Sequence, residues 1–379
     1  MTDTRPSLLI LSFSDIANDA RVKKQVLLFA DRYRVTTCGF GEPVRPDIEH
    51  IALHESESRW NARFEAVLLR LRAYGAAYWR QSFVRRARAV LRGRVFDAVI
   101  ANDLETVGIA SRLFGARRVH ADLHEFYPGL HDQIPAWNRL RRPFLVWQLR
   151  AFLPSVRSVT TVSDTIADRY RDEFGFACAV VRNASPRQDL SPSATGAPIR
   201  IVHSGGAQPN RRIEVMMEAV AKSSSNTTLD LYLTHEKSGY ADELRALAAR
   251  LGDRITIHPP LPQNQLVRAL NRYDVGIHVL PQTNTNNALA LPNKFFDFVQ
   301  ARLGMIIGPT QDMVRLLEQY ELGTVASGFD VAEVATAIDH LDAASVDGWK
   351  RNAHLAAEQL NAECEEAGWV RAVSGLVQA

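Results

Sequence analysis

The stretch from Asn284 to Gly304 contains the residues of this chain that are best spaced to bind a charged group. After a run of polar residues, Pro292 and Lys294 stand where a helix-like run with several apolar residues begins. Proline suits a first helical turn, and the free backbone N–H groups of that turn attract an anion together with the neighbouring lysine. Asp297 lies about one turn further along, where its carboxylate would accept hydrogen bonds from sugar hydroxyls. A capped helix with a solvated acid is the alternative interpretation.

A second candidate anion site lies between the strand-like run IRIVHSG and the helix-like run IEVMMEAVAKS. Gly205 and Gly206 form the turn between them, and Arg211 and Arg212 stand at the start of the helix. Backbone N–H groups at a helix start bind an anion, and arginine adds charge-assisted hydrogen bonds to phosphate oxygens. Two such sites in one domain predict a bound diphosphate.

Acidic residues and a histidine follow two further strand-like runs. The run VFDAVIAND ends in Asn102 and Asp103, and the segment VHADLHEFYPG holds Asp122, His124 and Glu125. A histidine beside carboxylates at the carboxyl end of a strand acts as a polar contact or a proton relay. A structural histidine is the alternative. Because no third ligand follows at helical spacing, these residues do not predict a zinc site.

The segment from Arg59 to Arg94 combines ten arginines and a single acid, Glu65, with interleaved aromatic residues. Arginine stems beside aromatic rings are typical of proteins that bind an anionic lipid surface, where each basic residue contributes about 1 kcal/mol. The alternative is that the aromatic rings belong to the core and the arginines form its solvated rim.

Length and composition limit the class of protein. A single core stops growing at roughly 250–300 residues, so a chain of 379 residues predicts two domains. A net charge of +3 is too small to predict nucleic-acid binding. The three cysteines lack paired spacing, which predicts no disulfide framework and fits a reducing cytoplasm. The sequence predicts neither a standard secretion signal nor a transmembrane helix.

Strand-like and helix-like runs alternate along the chain, which predicts doubly wound parallel sheets covered by helices. No GxGxxG follows the first strand, so a nicotinamide or flavin site is not predicted. Residues 185–198 are rich in Ser, Pro and Gly, which predicts a linker. We therefore predict an α/β protein with a domain over residues 1–184, a second over 199–355, and a terminal helix over 356–379 that packs back on the first domain.

The motifs and their order resemble the GT-B glycosyltransferases, specifically family 4 of the nucleotide-sugar-dependent transferases. The resemblance covers nearly the whole chain and rests on ILSFSDIANDARV, DLHE, TTVSDTIADRY, SGGAQPNRRIEVMMEAV and LPNKFFDFVQARLG. It implies two Rossmann-like domains that face each other across a cleft, with the nucleotide sugar in the second and the acceptor in the first. It also implies transfer from a UDP- or GDP-linked sugar to a lipid-linked, polysaccharide or other glycan acceptor. Retention of configuration is implied, with no metal and no cofactor beyond the nucleotide-sugar co-substrate.

The resemblance further implies roles for individual residues. Arg211 would face the diphosphate with help from Lys294 and the glycine turn, while Asp297 would hold the nucleotide ribose. The implied catalytic residues are His124, Arg211 and Lys294, of which His124 would lie near the transferred sugar. The implied donor-binding residues are Gly205, Gly206, Arg211, Arg212, Asn287, Asn293, Lys294 and Asp297. The implied acceptor-side residues are Ser14, Asp19, Arg21, Asp103 and Glu125.

At two positions this sequence departs from the family pattern, and both positions would contact the donor. Leu289 stands where the family commonly has another acid, so the polar run 284–287 would supply sugar contacts. Gly205 stands where many members carry a first cation, for which Arg212 would compensate. The same architecture serves nucleotide-sugar 2-epimerases, and a catalytically degenerate partner subunit would also keep it; both stay open as alternatives.

The predicted partners follow from these features. They are a nucleotide-sugar donor, a glycan or lipid-linked acceptor and, through the basic segment Arg59–Arg94, an anionic membrane surface, but not nucleic acid. The predicted location is the cytoplasm, with a peripheral position on the inner face of the membrane as an open alternative. Acceptors of this kind indicate polysaccharide biosynthesis.

Overall fold

The computed structural model describes residues 4–54, 59–234 and 239–378. The chain divides into two compact units. The first contains the chain up to Arg182, residues 284–286 and the C-terminal segment from Glu366. The second contains residues 183–283 and 287–365. Each unit has its own parallel β-sheet.

Helices and strands alternate over most of the described chain, and within those ranges no helix is long and apolar enough to cross a membrane. The strands are β1 (Ser7–Asp15), β2 (Arg34–Phe40), β3 (Glu49–Ala52), β4 (Ala98–Asn102), β5 (Val119–Leu123), β6 (Ser158–Thr161), β7 (Ala179–Val180), β8 (Ile199–Gly206), β9 (Thr227–Thr234), β10 (Ile255–His258), β11 (Val275–His278), β12 (Gly304–Ile307) and β13 (Gly323–Val325). The helices are α1 (Ala20–Phe29), α2 (Arg59–Arg70), α3 (Tyr74–Arg80), α4 (Ser82–Leu91), α5 (Leu104–Phe114), α6 (Pro135–Phe152), α7 (Asp164–Phe174), α8 (Ile213–Lys222), α9 (Tyr240–Leu251), α10 (Gln263–Leu270), α11 (Thr285–Ala288), α12 (Asn293–Gln300), α13 (Gln311–Tyr320), α14 (Val331–Asp339), α15 (Ala343–Ala356) and α16 (Ala362–Val377).

The described strands of the first unit form one parallel sheet in the order β3-β2-β1-β4-β5-β6-β7. The direction of winding reverses between β1 and β4, where doubly wound sheets carry their functional loops. Leu8, Leu9, Ile10 and Leu11 of β1 are fully buried, because a central parallel strand is covered on both faces. The continuous apolar run in the sequence predicted this strand correctly.

The described strands of the second unit form a parallel sheet in the order β10-β9-β8-β11-β12-β13. Its winding reverses between β8 and β11. Ile201 and Ile277 belong to one apolar cluster of this unit, while Val202 and Phe298 belong to another, as expected for a sheet with helices on both faces. The doubly wound α/β architecture is thus confirmed in both units.

The segment 185–198, predicted as a linker, belongs to the second unit and packs on it. The buried guanidinium of Arg302 donates hydrogen bonds to the carbonyl oxygens of Gln188 and Leu190, at 2.7 and 3.2 Å. Thr195 donates to the carboxylate of Asp347 through its backbone N–H and its hydroxyl. The segment contains no helix or strand, so side chains from the rest of the unit satisfy its backbone.

The C-terminal region forms two helices where the sequence predicted one. Helix α15 ends at Ala356 and α16 begins at Ala362. From Glu366 onward the chain belongs to the first unit, where Trp369 is 1% exposed within the apolar core. A Cβ atom added at Gly368 would lie 2.5 Å from Cγ2 of Val181, so the absence of a side chain permits this packing.

Candidate functional site

The glycine turn at the end of β8 and the first turn of α12 lie side by side in the second unit. Gly205 has a φ of +142°, and a Cβ atom there would lie 2.7 Å from both Cε and Nζ of Lys294. Glycine therefore allows the lysine side chain to lie against the backbone of the turn. The structure thus brings together Gly205 and Lys294, which belong to the two segments that the sequence predicted to bind an anion.

Arg211 adds a second cation to this region. It ends a short 3-10 turn, Pro209–Arg211, and its Nε donates to Oε1 of Gln208 at 3.3 Å. Burial and then the charge of Arg211 lower the pKa of Lys294 to about 8. Because two positive charges that lie close together repel each other, an anion between them would be stabilised.

The other predicted donor-binding residues have different surroundings. Arg212 is exposed, and its Nε lies 3.5 Å from Oε1 of Glu214, which offsets its charge. Asn287 donates through Nδ2 to the carbonyl oxygen of Pro281 and to the hydroxyl of Thr283, both at 3.0 Å. Asn293 is the partly buried first residue of α12, and Gly206 pairs with Thr234 at the end of β8.

Asp297, the predicted ribose ligand, is only 3% exposed. The hydroxyl of Ser185 donates a hydrogen bond to its Oδ1. Its negative charge partly offsets the fall in the pKa of Lys294. Leu289, which stands where the resemblance implies another acid, is buried as an ordinary apolar residue.

The polar run 284–286 belongs to the first unit. Oδ1 of Asn286 accepts a hydrogen bond from the backbone N–H of Phe126 at 2.9 Å, and its Nδ2 donates to the Phe126 carbonyl at 3.1 Å. Thr285 donates to the carboxylate of Asp132 through its hydroxyl and its backbone N–H. These side chains bind the protein backbone and a carboxylate, which differs from the expectation that the run contacts a sugar.

His124 lies between two carboxylates of the first unit. Its Nδ1 is 3.2 Å from Oδ1 of Asp103, and its Nε2 is 3.5 Å from Oδ2 of Asp122 and 3.2 Å from Oδ1 of Asn102. Burial alone would lower the pKa of His124, but Asp103 and Asp122 outweigh it and raise the pKa to about 9. At neutral pH the ring is therefore a cation that donates hydrogen bonds, which makes it a poor general base.

Asp103 has an unusual backbone conformation, with a φ of +65°. It precedes α5, but its side chain does not cap that helix. Its Oδ1 instead accepts a hydrogen bond from the Tyr127 hydroxyl at 2.6 Å and pairs with His124. Burial, and then the charge of Asp103, raise the pKa of Glu105 to about 7. The positive φ of Asp103 is a strained conformation for a residue other than glycine, and strained residues of this kind occur preferentially at functional sites.

Asp19 and Arg21 make internal contacts of the first unit. Asp19 caps α1 by accepting from the backbone N–H groups of Arg21 and Val22. The guanidinium of Arg21 donates to both carboxylate oxygens of Asp122, at 2.8 and 2.7 Å, and lies over the ring of Trp369. Arg21 is 3% exposed, which differs from the expectation of a residue on the acceptor side.

Comparison with known proteins gives a family match over part of the chain. A model of Glycosyltransferase Family 4 matches residues 28–184. This match confirms the resemblance seen in the motifs and supports a glycosyltransferase. A search of curated proteins found no match.

Solved structures similar to this glycosyltransferase have the GT-B fold. Sucrose-phosphate synthase from Thermosynechococcus elongatus is 14% identical with a TM-score of 0.76, and the match covers 99% of this chain and 100% of that one. Anabaena Alr3699/HepE in complex with UDP-glucose is 14% identical, with a TM-score of 0.69 and coverage of 98% and 100%. Trehalose 6-phosphate synthase from Burkholderia multivorans is 9% identical, with a TM-score of 0.66 and coverage of 99% and 98%. At these identities the comparison confirms the GT-B fold.

The remaining residues predicted on the acceptor side lie at the end of β1 and in the loop after β5. The hydroxyls of Ser14 and Ser12 are 2.8 Å apart near the end of β1. The side chain of Glu125 is exposed, and its carbonyl oxygen accepts a hydrogen bond from the Tyr170 hydroxyl. The sheet thus brings Asp103 and His124 together, while no described contact joins Glu125 or Ser14 to them.

Sequence reasoning missed two histidines of the glycosyltransferase. His203 lies within β8 and His278 ends β11; both are buried, and their ring centroids are 5.8 Å apart. A signal was present, because each interrupts an apolar run, IRIVHSG or VGIHVLP, in a strand that needs apolar residues on both faces. No local signal marked Tyr127, whose role depends on its contact with Asp103.

Proposed function

We propose that this glycosyltransferase moves a sugar from a UDP- or GDP-linked donor to a glycan acceptor. The observation that carries the proposal is the meeting of Gly205, Lys294 and Arg211 beside the first turn of α12. A helix start with two cations suits a diphosphate in both charge and geometry. The complex of Anabaena Alr3699/HepE with UDP-glucose supports a donor of this class.

The proposed chemistry is electrostatic. When the bond between sugar and diphosphate breaks, negative charge grows on the leaving diphosphate. Arg211, Lys294 and the backbone N–H groups at the start of α12 would stabilise this charge without reorganising, because the fold already holds them in position. We include retention of configuration and metal-independent transfer in this proposal, with the two cations balancing the diphosphate charge.

In the first unit, we assign polar contacts with sugar hydroxyls to Asp103 and His124. The His124 imidazolium would donate to a hydroxyl oxygen, and the Asp103 carboxylate would accept from a hydroxyl. Glu125, in the loop after β5, and Ser14, near the end of β1, are further candidates for binding the acceptor. The acceptor class in this proposal is a polysaccharide or lipid-linked glycan.

The first experiment measures nucleotide binding and sugar transfer. We expect UDP or GDP to raise the melting temperature, since a ligand that binds the folded state stabilises it. With nucleotide sugars and glycan acceptors, we expect nucleotide diphosphate release that depends on the acceptor and is insensitive to EDTA, and a product with the donor's anomeric configuration. Conversion of the free nucleotide sugar to its 2-epimer would instead identify an epimerase, and no stabilisation by either diphosphate would indicate a degenerate subunit.

We also propose that α2 binds an anionic membrane. Phe64 and Val67 of α2 and Leu71, the residue that follows it, are spaced as one apolar stripe and are 47%, 45% and 71% exposed. Arg63 and Arg70 flank the stripe. An apolar stripe between arginines suits an anionic lipid surface. The side chains of Arg59 and Trp60 lie outside the described residues.

Other aromatic residues of the basic region belong to the core and do not support membrane binding. Tyr78 is buried, and the ring centroid of Tyr74 lies 6.0 Å from that of the buried Phe144 on α6. The interpretation of these rings as core residues therefore holds for this part of the region. The membrane proposal rests on α2 alone.

Vesicle sedimentation tests the membrane proposal. We expect the protein to sediment with phosphatidylserine-containing vesicles and not with pure phosphatidylcholine vesicles. Replacing Phe64, Val67 and Leu71 by serine should abolish sedimentation. Leu355→Ser, which removes a comparably exposed apolar residue of the second unit, is the matched control and should have no effect. Equal sedimentation with both vesicle types would refute the proposal.

A further inference from the structure

His278, the last residue of β11, is buried but lacks hydrogen bonds. Its side chain is 3% exposed, and neither ring nitrogen has a partner among the described residues. Buried polar groups are almost always hydrogen-bonded, because leaving one unpaired costs free energy. A histidine at this position of a buried strand therefore needs an explanation that packing does not supply.

His278 lies at the point where the winding of the second sheet reverses. The pairing of β8 with β11 ends at Val202 and Gly276, and beyond it the ring of His203 bonds the carbonyl oxygen of Ile277 at 2.8 Å. Because a carbonyl only accepts, Nδ1 of His203 must carry the proton. The rings of His203 and His278 stack at an angle of 19°. Doubly wound sheets bind ligands where the strands separate in this way.

The charged groups that act on His278 are cationic. Burial, and then Lys294, His203 and Arg211, hold the pKa of His278 well below its ordinary value. The ring is therefore neutral and carries one N–H donor and one acceptor nitrogen. A phosphate oxygen would accept from the N–H group and would also balance the charges of Lys294 and Arg211.

We infer that His278 is a further donor-binding residue, whose imidazole donates a hydrogen bond to an oxygen of the diphosphate held by Arg211 and Lys294. This inference rests on the proposed function, because it adds a ligand contact to the same site. The stacked ring of His203 keeps the imidazole of His278 in one orientation. His203 acts on the ligand through His278 and is a positioning residue.

The variant His278→Phe tests this role, because it keeps an aromatic ring against His203 and removes both nitrogens. We expect a higher melting temperature for the ligand-free protein, since two unpaired buried nitrogens are lost. We also expect the affinity for UDP or GDP, measured by calorimetry, to fall by about tenfold or more, as for loss of a hydrogen bond to a charged group. Affinity for the corresponding nucleoside, uridine or guanosine, should not change.

A second variant and a control separate ligand binding from packing. His278→Gln keeps an N–H donor and should recover part of the diphosphate affinity. His120→Phe removes a buried histidine of the first unit whose two nitrogens bond Ser158 and Thr160, both at 2.9 Å. This control should lower the melting temperature and leave diphosphate affinity unchanged. If the phenylalanine variant folds poorly, His278→Leu, which is closer in volume to histidine, replaces it.

The outcomes distinguish this inference from the proposed function. If the wild type binds UDP or GDP and His278→Phe binds it equally well, the inference is wrong and the proposed function stands. A lower melting temperature for His278→Phe together with unchanged affinity would give His278 a purely structural role. If the wild type binds neither diphosphate, both the proposed function and this inference are wrong.

Discussion

Arg211 and Arg212 are neighbours in the sequence but differ in their electrostatic surroundings. Arg211 acts on Lys294, His203 and His278, whereas Arg212 is exposed and lies beside Glu214. A cation whose charge is offset by a carboxylate attracts an anion less than one that is repelled by other cations. We therefore expect Arg211 to contribute more than Arg212 to binding the predicted diphosphate.

Alanine substitution of each arginine tests this difference. We expect Arg211→Ala to lose about 2.7–4 kcal/mol of transition-state stabilisation, the range for deletion of one fixed electrostatic donor, which corresponds to a fall in kcat of about 10²- to 10³-fold. Arg212→Ala should change the barrier by less than about 1 kcal/mol, as for an exposed ion pair. The measurement is kcat from steady-state kinetics, with the nucleotide sugar whose nucleotide raises the melting temperature as the donor. Equal effects of the two substitutions would contradict the assignment.

The pKa of Lys294 predicts how donor binding depends on pH. Burial and Arg211 lower this pKa to about 8, so the ammonium loses its charge as the pH rises past that value. We expect the affinity for UDP or GDP to fall above about pH 8, with a higher midpoint in the complex because the bound anion favours the charged lysine. Lys294→Arg stays charged throughout and should give a flat profile. A flat wild-type profile would show that the lysine charge does not contribute to binding.

At the scale of elements, one buried guanidinium joins four parts of the first unit. Arg21, on α1, donates to Asp122 of β5 and to the carbonyl oxygen of Val181, which follows β7, and lies over Trp369 of α16. Asp122 also accepts from Gln25 and Thr160. Burial would raise the pKa of Asp122, but Arg21 and His124 hold it well below its ordinary value, so this carboxylate is charged.

Removing Arg21 should therefore lower stability more than removing an exposed arginine. We expect Arg21→Ala to reduce the free energy of unfolding of the first unit by about 3–5 kcal/mol, because Asp122 would remain as an unpaired buried charge. Arg169→Ala, which removes an exposed pair with Glu173 on α7, should cost about 0.3–0.5 kcal/mol. Urea titration followed by circular dichroism gives both values. Similar midpoints for the two variants would contradict the buried pair.

At the scale of the whole molecule, the first unit is built from distant parts of the sequence. It contains the N-terminal part of the chain, residues 284–286 and the C-terminal segment from Glu366. Trp369, Val373 and Leu376 of α16 belong to the apolar core around β1. The C-terminal segment is therefore needed for the first unit to fold with a complete core.

Substitution of two tryptophans near the C-terminus tests this assignment. We expect Trp369→Ala to destabilise the first unit by about 3–5 kcal/mol, as for a large buried side chain replaced by alanine. Trp349→Ala should instead destabilise the second unit, because Trp349 packs there on Gly304. Hydrogen exchange, read separately for β1 and β8, distinguishes the two. Loss of protection in β8 after Trp369→Ala would contradict the assignment.

The sequence by itself predicted the alternation of strands and helices, the doubly wound architecture and the two segments that we expect to bind an anion. Alternation of apolar strands with amphipathic helices is a local pattern, and so are a glycine turn and the start of a helix at Asn293. The contact between Gly205 and Lys294 is consistent with sheet topology, since the glycine turn and the loop before α12 both follow the carboxyl ends of strands in one sheet. These features depend on residues that are close in the sequence or on a general rule of sheet topology.

The tertiary structure decided which polar side chains are paired inside the fold and which carry a charge. Arg21 is buried against Asp122, Asn286 bonds the backbone of Phe126, and His124 is charged because Asp103 lies beside it. The sequence marks His278 as a polar residue in an apolar strand run, but only the structure shows that its ring nitrogens have no partner among the described residues. The physical reason is that burial and electrostatic neighbours come from residues far apart in the chain, and they set the charge and the free hydrogen-bonding capacity of each side chain.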